Sequence, residues 1–172
     1  MLPEPLHPAI VHLPIALTLL LPLIAGGAFL LARRGYPIRT VWLGVVAGAA
    51  LLAGSAWLAV ETGEGQEERV ERVVSEAPLE THEERANLFL ALSAATLALT
   101  LAGLGKNQLG RFARLAATGA TLVLLPAGWM VGHSGGELVY RHGAASAYTT
   151  PGEGVGATGE SETPRQDDDD DD

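Results

Sequence analysis

The residues best equipped for chemistry are five histidines, at positions 7, 12, 82, 133 and 142. A neutral imidazole offers a nitrogen lone pair to haem iron, copper, zinc or iron ions. The chain has no cysteine, which excludes disulfides, iron–sulfur clusters and thioether-attached haem. Histidine, carboxylate and backbone are the ligands that remain. Two chemistries follow. Haem b needs one imidazole on each side of the ring, from helices at matched depth, and His12, His82 and His133 are the leading candidates, with His12 and His133 first. A copper, zinc or iron ion at the same place would take His12, His82 and His133 with a carboxylate from Glu61, Glu64, Glu83 or Glu137. His7 and His12 are five residues apart, about 140° around a helix, so both do not point one way. His7 and His142 therefore rank as accessory ligands. The third reading is a structural or interaction module without a cofactor, in which His82 is a helix-start residue, His133 a helix-end residue favoured by the dipole, and His142 a surface residue.

The elements that position these residues follow from the charges. Four stretches, residues 5–32, 40–60, 86–105 and 115–136, contain no Asp, Glu, Lys or Arg, and each is long enough to cross a hydrocarbon core, which takes roughly 20 apolar residues. The chain of 172 residues is 48% hydrophobic and 18% charged, which suits an integral membrane protein and leaves no length for a second folded domain. The expected fold is all-α, a four-helix transmembrane bundle running up-down-up-down, with spans at about residues 9–32, 40–60, 84–104 and 112–133. It occupies residues 1–148, and a disordered acidic tail fills 149–172, where Gly, Thr, Glu and Asp leave little to bury. The first apolar run is preceded by Glu4 and nothing basic, so it reads as a span rather than a cleavable signal. With alternating spans, all five histidines lie on one membrane face.

Basic residues orient the bundle. Arg33, Arg34, Arg39, Lys106, Arg111 and Arg114 are six of the eleven Lys and Arg residues, and their two loops hold none of the twenty acids. By the positive-inside rule these loops face the cytoplasm, which puts both termini and the histidines outside. Trp57 and Trp129 fit an outer aromatic belt, Tyr36 and Trp42 an inner one. The net charge of -9 is dominated by the run of six Asp at residues 167–172. No basic patch beyond the cytoplasmic loops supports nucleic-acid binding.

Local signals refine the spans. Pro8 suits a first helical turn. Pro14 and Pro22 interrupt the ladder of span one and Pro126 bends span four. Gly44, Gly48, Ala50 and Gly54 form a small-residue stripe on span two, read as a close-packing seam within the chain or, through the Gly44/Gly48 face, between copies, in preference to a surface that accommodates a flat cofactor. Residues 66–76 read as a short amphipathic surface helix, with Val70, Val73 and Val74 at helical spacing, a Glu68–Arg72 pair and Pro78 as its end. Thr81 and Glu84 match a capping box that starts span three and leaves His82 in its first turn. Glycines 132, 135 and 136 are expected to stop span four. Ser134 next to His133 makes no catalytic triad, because sequence adjacency does not aim a base at a nucleophile and no buried aspartate is at hand. No charged side chain inside a span argues for a transport pathway.

Two segments carry a family resemblance. HPAIVHLPIAL at residues 7–17 and GHSGGELVYRHG at residues 132–143 resemble the bacterial membrane family DUF2231, whose pattern runs HPxxVHxPIAL, a Thr-Gly pair after span two, a histidine before span three and GHxGGxLVYxHG. Here Thr62-Gly63 and His82 fill the middle positions, and the resemblance extends from about Leu6 to Gly143. It implies a multi-pass protein of the bacterial inner membrane, in a family with no established activity. Some relatives are joined to Rieske-type or cytochrome c-type domains, which hints at electron transfer and a membrane or periplasmic redox partner; this chain carries neither domain.

Overall fold

The computed structural model describes residues 6–148; the acidic tail expected beyond them lies outside the described residues. All regular structure among the described residues is helical. Four helical segments are long and apolar enough to cross a membrane: His7–Arg33, Ile38–Glu64, Glu76–Ala102 and Gln108–Tyr140. The first is divided into α1 (His7–Ile10) and α2 (His12–Arg33) by the turn residue Val11. Pro14 explains the division: a proline ring clashes with the carbonyl four residues before it, here Ile10. The interruption thus falls before Pro14, which itself sits in the first turn of α2, and only Pro22 stands inside that helix.

α3 (Ile38–Glu64) follows a turn at Gly35, whose φ of 95° suits a residue without Cβ. The expected surface helix shrinks to one turn, α4 (Glu67–Val70). Its chain then turns so that Val74 is buried against Leu79, Leu138 and Ala144, with Val70 packed alongside. The segment caps one end of the bundle, and Glu68 and Arg72 do not pair because the helix stops between them.

α5 (Glu76–Ala102) starts earlier than the capping box implied. Ser75 is the extended N-cap, Pro78 lies in the first turn instead of ending the previous element, and the Thr81 hydroxyl donates to the carbonyl of Ala77 at 2.9 Å. Proline is tolerated in a first turn because its missing N–H would have no partner there. His82 consequently sits in the second turn.

α6 (Gln108–Tyr140) is capped by Asn107, whose side chain accepts from the N–H of Gly110 at 3.0 Å. It runs through Gly132, Gly135 and Gly136, which keep negative φ; Gly143 at φ 71° is the glycine that redirects the chain, into a 3-10 turn at Ala144–Tyr148. At 33 residues α6 is about 50 Å long, against a hydrocarbon core of about 30 Å. Between three and four turns in all, about 20 Å, therefore stand clear of the apolar layer.

α2 packs on α3 and α6, and α5 packs on the same two, closing a ring of four helices. Small residues line the centre: Ala25, Ala28, Ala49, Ala56 and Ala117 lie with Leu21, Val45, Leu52, Phe89 and Leu124. Close approach replaces hydrophobic driving force where lipid is as apolar as leucine. Gly48 is part of this seam, since a Cβ there would lie 3.0 Å from Leu21, whereas Gly44 and Gly54 face open space. Buried hydroxyls at Thr18, Ser93 and Thr96 donate to carbonyls one turn back in their own helices, which satisfies them without a partner helix.

At one end, here the arginine end, three side chains tie helices together. Arg39 donates to the carbonyl of Leu104 at 2.8 Å, Trp42 to that of Thr100 at 2.9 Å, and Arg114 to those of Gly103 and Gly105. These carbonyls belong to the end of α5 and the turn after it, where helix geometry leaves them unpaired or exposed. Trp42 is fully buried and stacks at a tilt on Phe29 with ring centres 5.6 Å apart. It is a core residue and not an inner-belt anchor. Tyr36, Trp57 and Trp129 are exposed as belt residues would be.

Candidate functional site

The opposite end, the histidine end, is assembled by the start of α1, the end of α3, the second turn of α5 and the projecting part of α6. His7 reaches α3, where its Nδ1 lies 2.8 Å from the carbonyl oxygen of Ala59. A carbonyl only accepts, so Nδ1 carries the proton and Nε2 keeps its lone pair. The Thr62 hydroxyl stands 3.4 Å from the same Nδ1 and directs its own proton to Leu58 or Ala59. Gly63 makes the approach possible: a Cβ there would sit 3.3 Å from Cε1 of His7.

His82 is held in the same way by α6. Its Nδ1 lies 2.9 Å from Oγ of Ser134, a residue only 4% exposed, and the backbone of Val131 is within hydrogen-bond reach. The Ser134 hydroxyl donates to the carbonyl of Met130 or Val131, so its oxygen accepts from His82. Nδ1 is again the protonated nitrogen and Nε2 the free one. Gly135 gives the ring room, since a Cβ would stand 3.1 Å from Cε1. Two imidazoles from separate helices at this end thus each have Nδ1–H secured by an acceptor and Nε2 free. Securing Nδ1 in this manner fixes the tautomer and orientation of a ligating histidine.

The other three histidines lie elsewhere. His12 is exposed at the start of α2, because the break at Val11 leaves the inward position to His7. His133 is on the outside of α6, stacked on Trp129 with centroids 5.0 Å apart and 3.8 Å from Glu137. His142 borders a groove of about 260 Å³ with Ala77, Thr81, Arg85, Ser134 and Glu137. Ser134 therefore separates that groove from His82. Among the carboxylates, Glu137 is paired with Arg141 at 2.8 Å. Glu61 and Glu64 are exposed at the end of α3, and Glu64 belongs with Glu67, Glu71 and Glu80 to an acidic group around Glu83. Among the described residues no three His, Asp or Glu side chains stand close enough to hold one metal ion. The arrangement of His12, His82 and His133 with a carboxylate is accordingly not the one formed; the inward pair is His7 and His82.

Ser134, Gly135 and the Ala59 carbonyl were not legible as site components. The signal for the first two was present in the GHSGG stretch: residues adjacent in a helix point about 100° apart, so an outward His133 turns Ser134 and Gly135 inward. A prediction follows from this packing. Gly132→Ala and Gly136→Ala, with nothing within 4 Å of the new Cβ, are expected to hold or raise Tm, since alanine is favoured over glycine in a helix by about 1 kcal/mol. Gly135→Ala is expected to lower it, because the new methyl must displace a hydrogen-bonded ring, at about 1–3 kcal/mol. Thermal melts of the three variants in one detergent check the contrast.

Comparison with curated proteins and with solved structures finds no match. A family model does match, over residues 3–147, and spans the histidine end and all four long helices. The chain belongs to the family it describes, DUF2231, "predicted membrane protein".

Proposed function

We propose that this membrane protein binds haem b through His7 and His82 and serves as a small electron carrier at the outer face of the bacterial inner membrane. The observation that carries the reading is the matched pair of imidazoles, from α1 and α5, each with Nδ1–H given to a fixed acceptor and Nε2 free. Bound haem would be held by the free Nε2 atoms of His7 and His82, whereas zinc sites commonly use three or four protein ligands. Bound haem would supply one-electron chemistry. The chain's own part is to fix ring orientation through Ala59 and Ser134, and hydrogen bonds to Nδ1–H tune the basicity of the ligating nitrogen.

Orientation supports an external site. The arginine end carries the basic loops and no acids, so it is the cytoplasmic end by the positive-inside rule. Contacts of His7 with the end of α3, and of His82 with the end of α6, put these helix ends at the same end of the bundle and support an up-down-up-down reading; the positive-inside rule alone argues that this end is outside.

Protein purified gently from its native membrane tests the proposal. The expected result is about one haem per chain, with a Soret band and sharp visible bands on reduction. Stoichiometric copper, zinc or iron without a chromophore would replace haem by a metal ion. Neither would leave a cofactor-free module and overturn the proposal.

A further inference from the structure

At the arginine end a second site stands apart from the histidines. Lys106, Asn107, Gln108, Arg111, Phe112 and Leu115 line a groove of about 450 Å³ at the start of α6. Its polar part is cationic. The side chains of Lys106 and Arg111 have no hydrogen bond or ion pair among the described residues, and the sequence from residue 86 to 136 contains no Asp or Glu to neutralise them. Arg39 is drawn to the same turn by its bond to the carbonyl of Leu104. The nearby Arg114 is unlike these, being buried and committed to Gly103 and Gly105.

The apolar part of the groove points to the kind of ligand. Phe112 and Leu115 are 68% and 65% exposed, and Leu109 on the same stretch is 67% exposed. In a four-span bundle such side chains face hydrocarbon, so one wall of the groove opens to acyl chains while the other presents two free cations at the membrane surface. A soluble phosphate would use only the cations. A zwitterionic lipid would bring its own positive group toward them.

We propose that this groove binds one anionic phospholipid, its phosphate between Lys106 and Arg111 and an acyl chain along Phe112 and Leu115. Basic pockets beside spans on the cytoplasmic side suit such headgroups. Each cation near an anionic headgroup contributes about a fivefold gain in binding, so removing both costs about 25-fold.

The test titrates phosphatidylglycerol, phosphatidylcholine and inorganic phosphate separately into the full chain in a neutral detergent, with bound lipid read by native mass spectrometry. The expected result is one bound phosphatidylglycerol, at least tenfold preferred over phosphatidylcholine. Phosphatidylglycerol affinity falls about 25-fold in Lys106→Gln/Arg111→Gln and stays within about twofold of wild type in Arg33→Gln/Arg34→Gln, which removes equal charge outside the groove. Phe112→Ser is expected to weaken the lipid while leaving inorganic phosphate unchanged. Equal binding of the two lipids, equal loss in both double variants, or inorganic phosphate competing as well as the lipid would each overturn the proposal.

Discussion

Gly110→Ala is expected to be the most damaging single-methyl change in the chain. A Cβ at this position would lie 2.1 Å from the carbonyl oxygen of Gly105, 2.6 Å from its carbonyl carbon and 2.8 Å from its Cα. All three are backbone atoms, so no side chain can swing aside. Gly110 is also where α6 is capped, its N–H bonded to Asn107, and a shift there would drag the cap with it. The turn between α5 and α6 would have to open, which releases the Arg114 contacts to Gly103 and Gly105 as well. Overpacking a tight site costs about 1–3 kcal/mol and more where backbone must move, and the loss here belongs at or above the upper end. Since each kcal/mol moves Tm by about 2–4 °C in a chain of this size, a drop of about 10 °C or failure to accumulate is expected. Gly119→Ala, in the same helix with open space around it, is the control. A Gly110→Ala protein melting with wild type would contradict the packing of this turn.

Trp42→Ala is expected to come next, at about 3 kcal/mol or about 6–12 °C in Tm. The indole is the largest fully buried side chain and fills the space between α2, α3 and α5 at the arginine end. In a bilayer the lost term is contact and cavity more than transfer from water, because the surroundings of the unfolded helices are apolar too; this holds the estimate to the lower part of the range for tryptophan. Trp42→Phe separates the components. It keeps most of the volume and removes only the bond to the carbonyl of Thr100, worth about 0.6–1.7 kcal/mol in a membrane protein. Melts of the two variants should therefore differ severalfold in their shift from wild type. Equal shifts would mean that the hydrogen bond, not the packing, dominates.

The four spans were legible because each is a stretch without charge, and the bilayer permits little else. The helix ends were not, because charge marks the edge of the apolar layer and not the end of the helix. α5 begins at Glu76, ten residues before its uncharged stretch starts at Ala86, and α6 continues past Gly136 to Tyr140. Gly132, Gly135 and Gly136 keep helical φ and so do not stop α6, which ends at Tyr140 before the chain turns at Gly143. The grouping of histidines at one end survives these shifts, since it depends only on which apolar stretch each one borders. Of the three expected to turn inward, only His82 does so. A break at Val11 gives the inner position to His7 in place of His12, and an earlier start for α5 moves His82 to a turn that meets Ser134. Trp42 illustrates the same limit, because a belt position and a core position differ by rotation around the helix and not by depth.

The account rests on the choice of His7 and His82 over the other three histidines, and a hemin titration of the purified full-length protein tests that choice. Wild type, His7→Ala, His82→Ala, His12→Ala and His133→Ala are compared by the Soret band and the low-spin spectrum of iron with two imidazole ligands. The predicted result is loss of the low-spin form in His7→Ala and in His82→Ala, with His12→Ala and His133→Ala binding as wild type. Low-spin haem that persists without His7 or His82, or that disappears without His12 or His133, would contradict the assignment.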